Sequence, residues 1–182
     1  DVREAGEKSP SVDRSLRIAR YKSGKYTIER PLHLGVALVI TDPAKRKDLI
    51  NILSAYGLPL GEAFQLRDDM LGIFGDPSVT GKPAGDDLRE GKRTVLMAMT
   101  FERADQATKA TISAALGRED LTSDQIDEVR ALITATGAVK DVEDLIDGLL
   151  SNALTAANSA EIAPSARELL VELASSAIRR SH

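Results

Sequence analysis

The segment Phe64-Gln65-Leu66-Arg67-Asp68-Asp69-Met70-Leu71-Gly72 gathers the residues best suited to chemistry. Read as helix, Gln65, Asp68, Asp69 and Gly72 fall at i, i+3, i+4 and i+7 and share one face. That face is polar or bare, while Phe64, Leu66, Leu71 and Ile73 offer packing on the other sides. Two adjacent carboxylates near a helix C-terminus oppose the dipole by about 0.3–1 kcal/mol per charge, so something cationic is needed nearby. Carboxylate oxygens suit magnesium, which keeps several waters and commonly completes its shell with substrate phosphates, so a phosphate ligand is implied. Taken alone, the pair also fits a solvated helix face with Arg67 softening the repulsion. The next residues favour the first reading, because a Gly-rich stretch with Lys82, Lys92 and Arg93 brings donors and positive charge to the same helix end.

The elements that must carry these residues read as all-α. Aromatics are only 3% of the chain, Ala, Leu, Glu, Lys and Arg dominate, and no convincing period-two alternation appears. A first helix is predicted over 13–38, with Leu16, Ile18, Ala19, Tyr26 and Leu34 available for burial and Pro31 kinking it. Asp42-Pro43 is a cap and first-turn pair opening a helix with the stripe Leu49, Ile50, Leu53 and Tyr56. Gly57, Pro59 and Gly61 are expected to bend or interrupt it before it resumes and ends near Gly75. Residues 76–93 lack helical periodicity and read as an ordered functional loop. Helix returns near Thr94, Thr122 and Gln125 have capping-box spacing, and Gly137 offers a stop. Val142, Leu145, Ile146, Leu149 and Ala153 form a further seam, and a last helix from Pro164 is expected to bury Leu169, Leu170, Leu173 and Ala177.

Composition excludes several functions. The 182 residues suit one well-cored domain or a large fragment of something bigger. Lys plus Arg number 24 against 28 Asp plus Glu, a net charge of −4 that leaves no footprint for nucleic acid. The absence of cysteine rules out disulfides, a thiolate zinc site and a cysteine nucleophile, and fits a reducing cytoplasm. No apolar run approaches the roughly 20 residues of a membrane span. The chain opens on Asp1 rather than Met, which leads us to expect a natural start further upstream. A nucleotide-binding P-loop does not fit either, since five residues rather than four separate Gly75 from Gly81 and Pro83 follows Lys82. His33 reads as a partly buried helix residue rather than a base.

Several motifs in order resemble the trans-isoprenyl diphosphate synthases. Phe64-Gln65, two residues, then Asp68-Asp69 is similar to their second Asp-rich motif. Gly75-Asp76, Gly81-Lys82, Asp87 and Gly91-Lys92 resemble the signature loop that follows it, and Lys22-Ser23 resembles an upstream Lys-Thr or Lys-Ser pair. Two departures stand out. Gly72 replaces the usual third Asp, leaving Asp76 or Asp87 to supplement the ligand set, and the family's first Asp-rich motif does not occur. The resemblance therefore implies an isoprenoid-synthase-type helical bundle represented only by its C-terminal portion, with the N-terminal half absent.

What the resemblance implies chemically is a prenyltransferase condensing isopentenyl diphosphate with an allylic diphosphate, of the geranylgeranyl or farnesyl type, with Mg2+ as cofactor. Asp68 and Asp69 would hold metal. Lys22, Ser23, Lys82 and Lys92 would bind diphosphate, with Lys22 counted among the catalytic groups, and Gln65 would orient the diphosphate or stabilise the cation beside it. A cytoplasmic homodimer is the expected assembly. A non-catalytic synthase-like subunit and a terpene cyclase of related fold are the alternatives, and the paired Gly-Lys loop argues against the cyclase.

Overall fold

The computed structural model describes residues 11–81 and 83–179, the side chains of residues 79 and 80 excepted. Every regular element among the described residues is helical. Helix α1 (Val12–Ala19) runs without a break into a π-helical segment (Arg20–Glu29) and then α2 (Arg30–Val39). The π-helical pitch is closed at its end by the Arg30 N–H donating to the Lys25 carbonyl, an i to i−5 bond. Ten residues of π-helix are rare, and such segments concentrate at functional sites. The region expected as one kinked helix is thus continuous, its irregularity placed before Pro31 rather than at it.

Helix α3 (Pro43–Phe74) opens as its sequence predicts, with the Asp42 carboxylate accepting the N–H groups of Ala44 and Lys45 at 2.8 and 3.2 Å. It then runs for 32 residues without interruption. The expected break at Gly57, Pro59 and Gly61 does not occur. Pro59 removes one intrahelical hydrogen bond, but the carbonyl it orphans belongs to exposed Ala55, which water can satisfy. The glycines serve close packing instead. A Cβ on Gly61 would lie 2.4 Å from Gly24 Cα, and one on Gly57 would lie 3.1 Å from Glu29 Cα, so α3 meets the π-helical segment backbone to backbone.

The loop after α3 contains two short helices, α4 (Pro77–Thr80) and α5 (Asp86–Arg89), where the sequence offered no periodicity. They are single turns, too short for an amphipathic pattern to register. The remaining helices are α6 (Val95–Arg103), α7 (Gln106–Ala115), α8 (Ser123–Ala135), α9 (Ala138–Ala157) and α10 (Pro164–Ile178). Helix resumes at Thr94 and the Thr122–Gln125 capping box forms as expected, while the Asp105 cap of α7 was not anticipated. Thr94 accepts from the Met97 N–H, Thr122 and Gln125 form both bonds of a capping box, and Gly137 turns the chain with φ +79°.

The chain divides into two compact units. One comprises residues 11–16 and 68–142, and the other residues 17–67 and 143–179. The first packs Met70, Ile73, Leu88, Leu96, Ile112, Ile126 and Ile133 at 1% exposure or less. The second buries Tyr56, Leu60, Ala63, Leu66, Ile146, Ala153 and Ala174, and the Tyr56 hydroxyl donates to the Leu170 carbonyl at 2.8 Å. Ala19 is buried as expected, but Ile18, Tyr26, Leu34, Leu169 and Leu173 are not, at 53 to 80% exposure. On α10 it is the Leu170, Ala174 and Ile178 side that packs inward.

Candidate functional site

Asp68 and Asp69 occupy the penultimate turns of α3 and are half-buried. The cation that the helix dipole demands comes from α8, where Arg130 Nε donates to the Ile73 carbonyl at 2.7 Å and neutralises the C-terminal turn. Sequence reasoning missed Arg130, since only the fold brings it to α3. Arg67, beside the Asp pair in sequence, is committed to an acid elsewhere. Its two terminal nitrogens grip Glu143 on α9 in a fork, each bond 2.6 Å, with the Arg67 side chain 11% exposed.

Gly72, one turn beyond Asp68, is explained by Asp87. A Cβ at position 72 would lie 2.2 Å from Asp87 Oδ2, so the Asp87 carboxylate rests directly on the bare α3 backbone. Asp87 is 3% exposed and sits in the first turn of α5, which follows Gly85 at φ +67°. A carboxylate therefore stands over the helix position where the third Asp would be, delivered from the loop rather than from the helix. Of Asp76 and Asp87, the two acids the sequence left open as supplements, Asp87 is the one that lies against Gly72. Asp76 acts locally, capping α4 by accepting from the Ser78 hydroxyl and N–H, both at 2.7 Å, and these bonds hold its carboxyl below the usual range.

Lys92 joins the same cluster. Its Nζ lies 2.5 Å from Asp87 Oδ1 and 3.0 Å from Glu90 Oε2. Burial of the ammonium works against its charge, but the hydrogen bonds to Asp87 and Glu90 outweigh this and hold it above the ordinary lysine range. Lys82 lies outside the described residues.

In the second unit, Ser23 and Gln65 meet. The Ser23 hydroxyl donates to Gln65 Oε1 at 2.5 Å, both side chains being buried. Lys22 is exposed beside them on the π-helical segment. Glu62, one turn before Gln65 on the same side of α3, was missed; the i−3 spacing was its only signal. Burial pushes its carboxyl above the usual range, and Arg20 at 3.4 Å pulls it part of the way back. His33 is half-buried and paired with the Ser54 hydroxyl at 2.9 Å, in keeping with a structural histidine.

Chemically, Asp68 and Asp69 offer hard oxygen donors, while the Asp87 carboxylate is engaged by the Lys92 ammonium. No group of three or more His, Cys, Asp or Glu among the described residues is arranged to hold a metal by itself. This donor set fits an ion such as magnesium, which leaves part of its shell to water and phosphate, and does not fit a closed protein cage.

The helical fold agrees with direct comparison: the chain belongs to the polyprenyl synthetase family, whose model matches residues 1–133. Geranylgeranyl diphosphate synthase of Mycobacterium tuberculosis is 30% identical over 159 residues, which cover 87% of this chain and 44% of the relative. That of Saccharolobus solfataricus is 37% identical over 86 residues, 47% of this chain and 26% of the relative. The crystal structure of the Corynebacterium glutamicum geranylgeranyl pyrophosphate synthase, complexed with isoprenyl diphosphate and magnesium, matches with a TM-score of 0.88 at 41% identity. That match covers 95% of this chain and 48% of the other. The chain thus spans less than half the length of these relatives. No helix among the described residues is long and apolar enough to cross a membrane.

Proposed function

We propose that the chain is the C-terminal portion of a prenyltransferase that joins isopentenyl diphosphate to an allylic diphosphate, and that it supplies the second Asp-rich metal and diphosphate site. The observation that carries this reading is the Asp87 carboxylate seated on Gly72 one turn from Asp68, with Lys92 bound to it. Asp68 and Asp69 would hold Mg2+, which when bound would neutralise the diphosphate and make it a better leaving group. Lys92 and Lys82 bind diphosphate oxygens as point charges, and the resemblance assigns Lys22, Ser23 and Gln65 to diphosphate binding as well. The C–O bond to diphosphate breaks with its electron pair, the isopentenyl double bond forms the new C–C bond to the resulting allylic cation, and a proton is lost. The protein's contribution is charge neutralisation, orientation and exclusion of water from the cation.

The exposed Ile18, Tyr21, Tyr26, Leu34 and Leu38 support the reading of a partial domain, because the N-terminal half of the family domain would cover such a stripe. A geranylgeranyl-type product, a homodimer and a cytoplasmic location belong to the same proposal and rest on the resemblance. The test is calorimetric titration of the chain with inorganic diphosphate, with and without magnesium. Binding is expected to require magnesium and to weaken about tenfold in Asp68→Ala and in Lys92→Ala. Unchanged affinity in both variants would sink the site assignment.

A further inference from the structure

We propose that Glu90 is a built-in competitor for the diphosphate site: it holds the solvent side of the Lys92 ammonium when no anion is bound and gives it up when one arrives. This rests on the reading that Lys92 binds diphosphate. The two acids on Lys92 differ in kind. The Asp87 side chain is 4% exposed at 2.5 Å, and that of Glu90 is 53% exposed at 3.0 Å.

Placing Lys92 does not require Glu90. The Lys92 N–H donates to the Asp87 carbonyl at 3.0 Å, so backbone and side chain both tie residue 92 to residue 87. The loop is pinned independently, by the Leu88 carbonyl accepting from Gly91 and Gly117 and by Arg89 donating to the carbonyls of Ala84 and Leu121. What Glu90 adds is negative charge on the side of the ammonium left open to water. An ammonium has three donors, and an incoming diphosphate must take its share against Glu90. A solvated pair of this kind is weak, so the exchange is easy in both directions. Glu90 therefore gives the open side of the ammonium a second partner in the empty site and recaptures it as inorganic diphosphate departs.

The test is titration of the 182-residue chain with inorganic diphosphate in magnesium buffer, comparing wild type, E90Q, K92Q and the double variant. E90Q is expected to bind about two- to fivefold more tightly, with slower dissociation by stopped flow, and the gain should shrink as salt is added. The gain should vanish in the K92Q background. An unchanged or weakened affinity in E90Q overturns the proposal, as does an equal gain with and without Lys92, which would mark a general charge effect. If wild type and K92Q bind alike, the diphosphate role of Lys92 fails and the inference falls with it, a result distinguishable from failure at Glu90 alone.

Discussion

Gly72→Ala isolates the contact on which the site depends. In a plain helix the change gains up to about 1 kcal/mol, because alanine loses less backbone entropy than glycine. Here the new Cβ would lie 2.2 Å from Oδ2 and 2.3 Å from Cγ of Asp87, so the carboxylate must withdraw by roughly 1 Å to reach an ordinary contact. Withdrawal is resisted. Asp87 is buried and bound to Lys92, and its neighbour Leu88 is fully buried with its carbonyl held by Gly117. Overpacking of this kind costs about 1–3 kcal/mol, which outweighs the helix gain. The expected net loss, up to about 2 kcal/mol, would lower Tm by up to about 8 °C for a chain of this size. Urea and thermal unfolding of a double-mutant cycle with Asp87→Ala would measure it. In that background the alanine at 72 meets no carboxylate, and the substitution should change sign and stabilise by up to about 1 kcal/mol. Stabilisation by Gly72→Ala in both backgrounds would refute the seating of Asp87 on α3.

Gly61→Ala is expected to be more damaging, by about 3 kcal/mol, because its Cβ would lie 2.4 Å from backbone rather than from a side chain that can turn away; thermal unfolding would show it. Tyr56→Phe should cost about 0.5–1.5 kcal/mol by removing the hydroxyl's hydrogen bond to the Leu170 carbonyl, measured by urea unfolding. Burial pushes the Tyr56 phenol up to about 12, so the fold favours its neutral form. Its contribution should be complete below pH 10 and fade as pH rises toward 12, and stability of the phenylalanine variant should fall less steeply across that window.

How much was legible in the sequence follows from the range of the forces involved. The caps at Asp42 and Thr122, the helix start at Thr94 and the stop at Gly137 are satisfied by neighbours within a few residues, so their chemistry is written locally. The Gln65, Asp68, Asp69 face follows from helical spacing alone. Gly57, Pro59 and Gly61 misled because propensity describes an isolated helix, whereas here tertiary contact decides. Asp87 on Gly72 and Arg130 on Ile73 join residues far apart in the chain, and nothing local marks them as partners. Amphipathic patterning also says only that Ile18 or Leu169 could be buried. Whether anything in this chain covers them is a property of the fold.

The contact of Gly24 with Gly61 has a mechanical consequence. Where two helices touch through side chains, a slide of an ångström is absorbed by rotamer changes; where they touch through backbone, no soft layer exists. Ser23 and Gln65 lie beside that contact and share a 2.5 Å hydrogen bond. Their relative position is therefore set by backbone packing and survives changes in the surrounding side chains.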